Sequence, residues 1–487
     1  MIRESVDVAV LGGGFAGSVM ALVLQRIGRT AVVLERGTHP RFAIGESSTP
    51  LCNLSLEALA RDFDLPRLMP LSEYGRWQRA YPDLACGLKR GFTFAQHEEG
   101  RPFVPRDDHA NELLVAASPT DDEGDTHWFR ADFDHFIVRD VESAGIPFLD
   151  RTEVTDIERG ERWTVRGHRS GEPVEVRAAF TVDASGPAGL LGRALGIDGR
   201  PCGVRTDAWS VYSHFEGVGL WADVLSEAGG NLADHPYRCD DAALHHVLED
   251  GWVWVLRFNN GITSAGAMID SSKRQPDPTL SPEAEWAALL GRYPSLARQF
   301  ASARPVRPFV RTGRLQRWMN RAAGDGWAML AHAAYFLDPL FSGGNAHTLL
   351  TVERLGRILR DHWERPSLQH ELGSYSRNLL REVNLLDRLI HGCYRSFGRF
   401  RHLTGFVMDY FAAAIHCEHR RRAGAVDARG GFLLADSAGF RAAVRRHHAM
   451  LTDPTAEELH ETVARDLSPI NVAGLCDPSK RNMYPFA

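Results

Sequence analysis

Three glycines, Gly12-x-Gly14-x-x-Gly17, stand between a β-branched apolar run, Val6 to Leu11, and a stretch of helical spacing, SVMALVLQRIG. That spacing suits a pyrophosphate. The first glycine permits a tight turn and the second lets backbone approach phosphate. The third, with Ala16 beside it, lets helix and strand pack closely. The helix N-terminus then offers unpaired N–H groups and a positive dipole end to the anion. A second apolar run, Thr30 to Leu34, ends in Glu35-Arg36. A carboxylate there accepts hydrogen bonds from an adenosine ribose and repels a ribose 2′-phosphate. Metal chemistry has weaker support. Seven cysteines (52, 86, 202, 239, 393, 417 and 476) lie far apart without a CxxC pair, and read as reduced thiols. His416-Cys417-Glu418-His419 are consecutive, so a helix would splay them around its circumference. With Arg420-Arg421-Arg422 they read as a solvated helix end. His332 and His347 fit no paired-ligand pattern and are expected to pack or face solvent. No metal is expected.

The elements that position these residues start with a βαβ unit over 6–35, whose parallel strands need a covered sheet. From about 76 to 129 the chain reads as irregular. Helical spacing returns over 132–144, followed by strand-like alternation in RWTVRGH and PVEVRAAFTVDASG. The middle, about 205–315, is strand-like around WSVYSHF and WVWVLRFNN, with a helix near 282–292. After Leu349, runs such as RNLLREVNLLDRLIHGCY have helical spacing and few glycines. The expected organisation is α/β: a body over 1–350, with the 205–315 strands intertwined in it, and a helical subdomain over 351–487. The 487 residues are 44% hydrophobic and 24% charged, an ordinary globular composition. Lys and Arg number 56 against 62 Asp and Glu, a net charge of −6 without a basic block, so no nucleic-acid partner is expected. No apolar run reaches about 18 residues, so no membrane span is expected. The N-terminus enters a strand directly, so no signal peptide and a cytoplasmic location are expected.

Two later features point to FAD as the dinucleotide. Arg130 in WFRADFDHF resembles the Arg-x-x-Phe-Asp element of flavoprotein monooxygenases, in which arginine reaches the flavin nucleotide. Val182-Asp183-Ala184-Ser185-Gly186 closes an apolar strand, like the second strand–glycine element of those proteins. The resemblance implies a Rossmann-like FAD-binding domain of the monooxygenase type, with a mixed-sheet substrate region beside it.

Four further segments, RFAIGESSTP (41–50), CGLKRGFTF (86–94), GWVWVLRF (251–258) and FLDPLFSGG (336–344), occur in an order that resembles the flavin-dependent halogenases. Within that family the likeness is to free-standing phenol halogenases with phloroglucinol-type substrates. It runs to about residue 360 and is loose beyond. The resemblance implies that reduced FAD, O₂ and chloride or bromide give hypohalous acid, which crosses a passage to a separate aromatic site. Lys89 would stand in that passage and hold or carry the halogen. Ile44, Gly45, Glu46, Ser47, Asp338 and Pro339 would contact the cofactor, and the backbone at Gly343 and Gly344 would hold halide. Trp252, Trp254, Phe94, Phe341 and Ser342 would lie near flavin or substrate. Trp77, Tyr81 and Phe92 could also line a flat pocket or simply pack.

Two departures from the family's pattern bear on function. Phe341 replaces the glutamate of the tryptophan-specific branch, which points to a phenolic ring that loses its own proton. Arg257 stands where a proline follows the Trp-x-Trp pair, which leaves room for altered halide use or for oxygenation. The resemblance also implies a separate NAD(P)H-dependent flavin reductase, since the chain has one dinucleotide fingerprint. The aromatic substrate would be free or tethered to a carrier. Two alternatives stand beside this reading: an aromatic hydroxylase, and a non-catalytic flavin-binding or carrier-docking component.

Overall fold

The computed structural model describes residues 1–197, 203–425, 428–452 and 456–487; Cys202 lies outside them. The apolar run at the start forms β1 (Ile2–Leu11), which breaks at the glycines into α1 (Phe15–Arg26) and returns as β2 (Ala31–Leu34). Next come α2 (Pro50–Asp62), β3 (Cys86–Lys89), β4 (Gly91–Gln96), β5 (Glu112–Ala116), β6 (Asp125–Trp128) and α3 (Arg130–Ser143). The region read as irregular thus holds four short strands. Their partners are distant in sequence, so local spacing gives little sign of them.

The long strand β7 (Glu172–Asp183) pairs in parallel with β1 and ends at the VDASG turn. Four strands fill the middle: β8 (Ala208–Glu216), β9 (Ala243–Val247), β10 (Gly251–Arg257) and β11 (Thr263–Asp270). The short β12 (Trp327–Met329) joins β7 in parallel. The first sheet therefore has a parallel heart, β12-β7-β1-β2, buried under helices as such sheets require. The second sheet runs β8-β11-β10-β9-β4-β5, with these six strands antiparallel except at β9–β4. In β10 the side chains alternate: Trp252, Trp254 and Leu256 enter the core shared with the first sheet, while Val253 and Val255 enter a second core.

Beyond these lie α4 (Gly343–His362), α5 (Leu368–Ser396), α6 (Phe400–Arg422), α7 (Ala438–Ala449) and α8 (Ala456–Leu467). A last strand, β13 (Met483–Tyr484), returns to β5. The α/β architecture with a helical C-terminal region is the one the sequence implied. Among the described residues no helix is long and apolar enough to cross a membrane.

Candidate functional site

At the end of β1 the three glycines are each constrained differently. A Cβ at Gly12, where φ is +103°, would lie 2.5 Å from the Ala184 carbonyl oxygen, and one at Gly17 would lie 1.9 Å from the Gly12 carbonyl oxygen. Those contacts bring β1, α1 and the VDASG turn together. A Cβ at Gly14 would meet nothing closer than 3.6 Å, which leaves the N-terminus of α1 approachable by a ligand. Glu35 is buried and accepts from the Gly13 N–H (2.8 Å) and the Gly37 N–H (2.7 Å), with Arg41 at 3.3 Å. Burial raises its pKa, but Arg41 and the two N–H groups outweigh burial and hold the carboxyl below its usual value. The open helix end beside an ionised carboxylate fits the pyrophosphate and ribose of FAD.

Arg130 braces the segment between β2 and α2. Its Nε and Nη2 reach Asp134 at 2.7 and 2.8 Å, and Nη1 donates to the Ile44 and Gly45 carbonyls at 3.0 and 2.9 Å. From α4, the Asn345 amide donates to the Gly45 and Ser47 carbonyls at 3.0 and 3.3 Å. Glu46 is buried and meets His214 Nε2 at 2.7 Å. At the far end of the VDASG strand, Asp183 accepts from the Ser185 and Leu191 N–H groups at 2.9 and 2.8 Å and shapes the turn against Gly12.

Lys89, at the end of β3, is fully buried; its Nζ donates to the Ser48 carbonyl at 2.6 Å and lies 3.9 Å from the centre of the Phe92 ring. Across the strand pair it faces Asp125, which is also buried. Asp125 accepts from Asn53 of α2 at 2.6 Å, and its second oxygen has no hydrogen-bond partner. Burial pulls the lysine amine below its usual pKa, while the neighbouring carboxylate pulls it back up. The same burial pushes Asp125 up. Gly87 brings β3 this close to the second sheet, since a Cβ there would fall 1.8 Å from the Arg257 carbonyl oxygen.

Rings connect Lys89 to the loop before α4. Phe92 lies 4.9 Å from Phe411, Phe411 lies 6.1 Å from Phe341, and Phe341 stacks on Tyr410 at 4.0 Å. Phe94 stacks on His245 at 4.5 Å, and His245 lies 5.1 Å from Trp252. Ser342 has a left-handed φ of +52°, which turns the chain into α4. A Cβ at Gly343 would lie 2.9 Å from the Tyr410 hydroxyl, and one at Gly344 would lie 2.7 Å from His332 Nε2. Asp338 accepts from the Leu340 N–H at 2.9 Å and from the Tyr394 hydroxyl. Burial pushes the Asp338 carboxyl up to about 7, against those two bonds and the nearby Trp252 indole. Beside Phe92 and Phe411 opens a cleft whose walls include Thr49, Leu51, Tyr410 and Glu418.

Comparison with known proteins decides what this arrangement belongs to. The model of the FAD dependent oxidoreductase family matches residues 7–310. Monodechloroaminopyrrolnitrin halogenase PrnC of Pseudomonas fluorescens is 30% identical over 405 residues, covering 81% of this chain and 69% of that protein. The chain belongs to the flavin-dependent halogenases. Tetracycline 7-halogenase of Kitasatospora aureofaciens is likewise 30% identical over 81% of this chain and 70% of its own length. The crystal structure of halogenase PltM in complex with phloroglucinol and FAD is 26% identical, with a TM-score of 0.87 over 98% of this chain and 99% of that one. This halogenase is an enzyme that uses FAD, with halide as co-substrate.

Within the halogenase the sequence-derived residues fall into two groups. Gly12, Gly14, Ala16, Gly17, Glu35, Ile44, Gly45, Glu46, Ser47 and Arg130 gather around the N-terminal ends of α1 and α2; Arg36 is exposed beside them. Lys89, Phe94, Trp252, Asp338, Pro339, Phe341, Ser342, Gly343 and Gly344 gather along the passage of rings. Trp254 is one strand step further, bonded through Nε1 to Ser264 at 3.2 Å. Trp77 packs in the core against Phe133, and Tyr81 against Phe136. Arg257 points away from this passage; its guanidinium binds the Val218 and Gly219 carbonyls and Asp240. His347 is a packed histidine between Glu382 (2.8 Å) and the Tyr335 hydroxyl (2.7 Å).

One expectation is corrected. The 416–422 segment is solvated only in part: His419 and Arg422 are exposed, but Cys417 and Glu418 are buried and Arg421 binds Glu353 at 2.9 Å. The face of α6 turns inward there, and consecutive spacing could not show which residues it would bury. Sequence reasoning also passed over Asp125, Asn345, His214 and Tyr394, and weighed Glu418 only as a metal ligand. Only Asn345 carried a signal, its place directly after the glycine pair.

Proposed function

We propose that this halogenase installs chlorine or bromine on a small phenolic ring, with Lys89 holding and orienting the hypohalous acid. Bound FAD, once reduced, supplies the electrons by which O₂ and halide yield that oxidant. Gly12, Gly14, Gly17 and Glu35 hold the adenosine and pyrophosphate end, and the 44–47 segment with Asp338 and Pro339 flanks the ring end. Backbone N–H groups at Gly343 and Gly344, at the N-terminus of α4, receive the halide, as converging donors suit an anion. The carrying observation is the burial of Lys89 between that loop and the aromatic cleft. A dry site lowers the amine's pKa and keeps a labile oxidant from bulk water. The phenolic substrate is supported by Phe341, an apolar ring where the tryptophan-specific branch has a carboxylate, and by the phloroglucinol bound to PltM.

In this reading the body to about residue 350 generates and delivers the oxidant, and the helices beyond it wall the substrate cleft. Reduced FAD comes from a separate NAD(P)H-dependent reductase in the cytoplasm. The test supplies purified protein with FAD, a flavin reductase, NADH, O₂ and either chloride or bromide, and scores a phenol panel by mass spectrometry. Halogen isotope patterns in the product are expected. A product heavier by one oxygen instead would make the protein a hydroxylase.

A further inference from the structure

The cleft beside Phe92 is mostly apolar, with Thr49, Tyr410, Tyr484 and Glu418 as the polar residues among its walls. Tyr410, Phe411, Ala414, Ile415 and Glu418 lie on one face of α6 at helical spacing and form one wall. Among the described residues lining the cleft, Glu418 carries the only charged side chain. It is 4% exposed; Arg422, one turn on, donates to Oε1 at 2.9 Å, and among the described residues no donor reaches Oε2. A buried carboxylate left with acceptor capacity in an apolar cleft calls for a donor from a ligand. Phe92 lines the cleft, and Lys89 Nζ lies 3.9 Å from the centre of its ring.

We infer that Glu418 binds the hydroxyl of the phenolic substrate in this cleft and takes its proton as the ring is halogenated. This inference rests on the phenol reading above and supplies the carboxylate that the loop lacks at Phe341. The step balances. A ring carbon forms its bond to halogen as the halogen–oxygen bond of hypohalous acid breaks. Glu418 accepts the phenol proton as hydroxide departs, giving a neutral halogenated dienone. The hydroxide takes the C–H proton of the dienone and leaves as water, and Glu418 returns its proton to the ring oxygen. Net, the phenol and hypohalous acid give halophenol and water. Arg422 keeps the carboxylate oriented, and burial, opposed by Arg422, raises its affinity for the proton it must accept.

The test compares resorcinol with 1,3-dimethoxybenzene, a ring of similar electron density that has no hydroxyl proton. Wild-type enzyme, coupled to a flavin reductase with bromide present, is expected to favour resorcinol by at least about tenfold in kcat/KM. Glu418→Gln is expected to lose about 100-fold on resorcinol, within the range of general-base catalysis. It should leave the diether unchanged, and Glu418→Asp should restore part of the loss. Equal losses on both rings would make Glu418 structural and overturn the inference, as would full retention of resorcinol halogenation by Glu418→Gln. Should the variant fail to hold FAD, the wild-type ratio decides, and a ratio near one overturns the inference. Wild-type enzyme that halogenates no phenol overturns the phenol reading itself.

Discussion

Lys89 and Asp125 face each other in register across β3 and β6, both buried, and neither closes an ion pair on the other. Each instead takes a partner from the 48–53 segment: the Ser48 carbonyl for the amine and the Asn53 amide for the carboxylate. The lysine is therefore tuned by a neighbouring charge without being neutralised by contact. Asp125→Asn removes the charge that raises the amine's pKa, so the pKa falls further. If the neutral amine is the working form, the acid limb of the pH–rate profile moves to lower pH. Steady-state halogenation from pH 5 to 9 measures this, and a shift to higher pH would contradict it.

Gly87 should be as unforgiving as the lysine it positions. Gly87→Ala places a methyl 1.8 Å from the Arg257 carbonyl oxygen, so β3 must move. Gly87 contacts none of the glycines or the carboxylate that hold the nucleotide end, so FAD retention should change far less than halogenation, which falls by at least 100-fold. Equal activity in the two proteins would show that the passage tolerates displacement of its lysine.

On the nucleotide side, Glu35→Gln leaves one carbonyl where two charged oxygens now hold Gly13, Gly37 and Arg41. Hydrogen bonds to charged groups contribute about 1.5–3 kcal/mol each. Losing one such contact to the adenosine ribose weakens FAD binding by about 10- to 100-fold. Titration of flavin fluorescence measures it.

Stability should depend on an ion pair that binds α4 to α5. Glu382 meets Arg354 at 2.7 and 2.8 Å and His347 at 2.8 Å, all in the core. Burial opposes its ionisation, yet Arg354 and His347 prevail and hold the carboxyl at about 2. A depressed carboxyl stabilises the fold above its unfolded value of about 4.3, and the stabilisation is lost as pH falls toward 2. Glu382→Gln strands the arginine and costs about 3–5 kcal/mol, read as a lower denaturation midpoint. The difference between the two proteins should shrink below pH 4.

The nucleotide fold was legible because its signal is local: a β-branched run, three glycines and a helix within twenty residues, then an acid. The FLDPLFSGG loop was legible through the family pattern alone. The cradle of Lys89 was not, because Asp125 reaches it through a strand pairing 36 residues away in the chain and Ser48 through a carbonyl 41 residues away. The inward face of α6 was hidden for a similar reason. Nothing in its own sequence says that Phe92 and β5 will lie against Glu418. Arg257 looked like a change near the flavin because it sits in the tryptophan motif, yet period-two alternation turns it to the loop at Val218.

The central claim is that oxidant formation and substrate halogenation are separated, with Lys89 between them. Lys89→Gln tests it most directly, with two readouts on one sample: stopped-flow reoxidation of reduced flavin by O₂, and halogenated phenol by mass spectrometry. Reoxidation within twofold of wild type, with product lowered at least 100-fold, is the predicted result. Product retained within a few-fold of wild type would contradict the account.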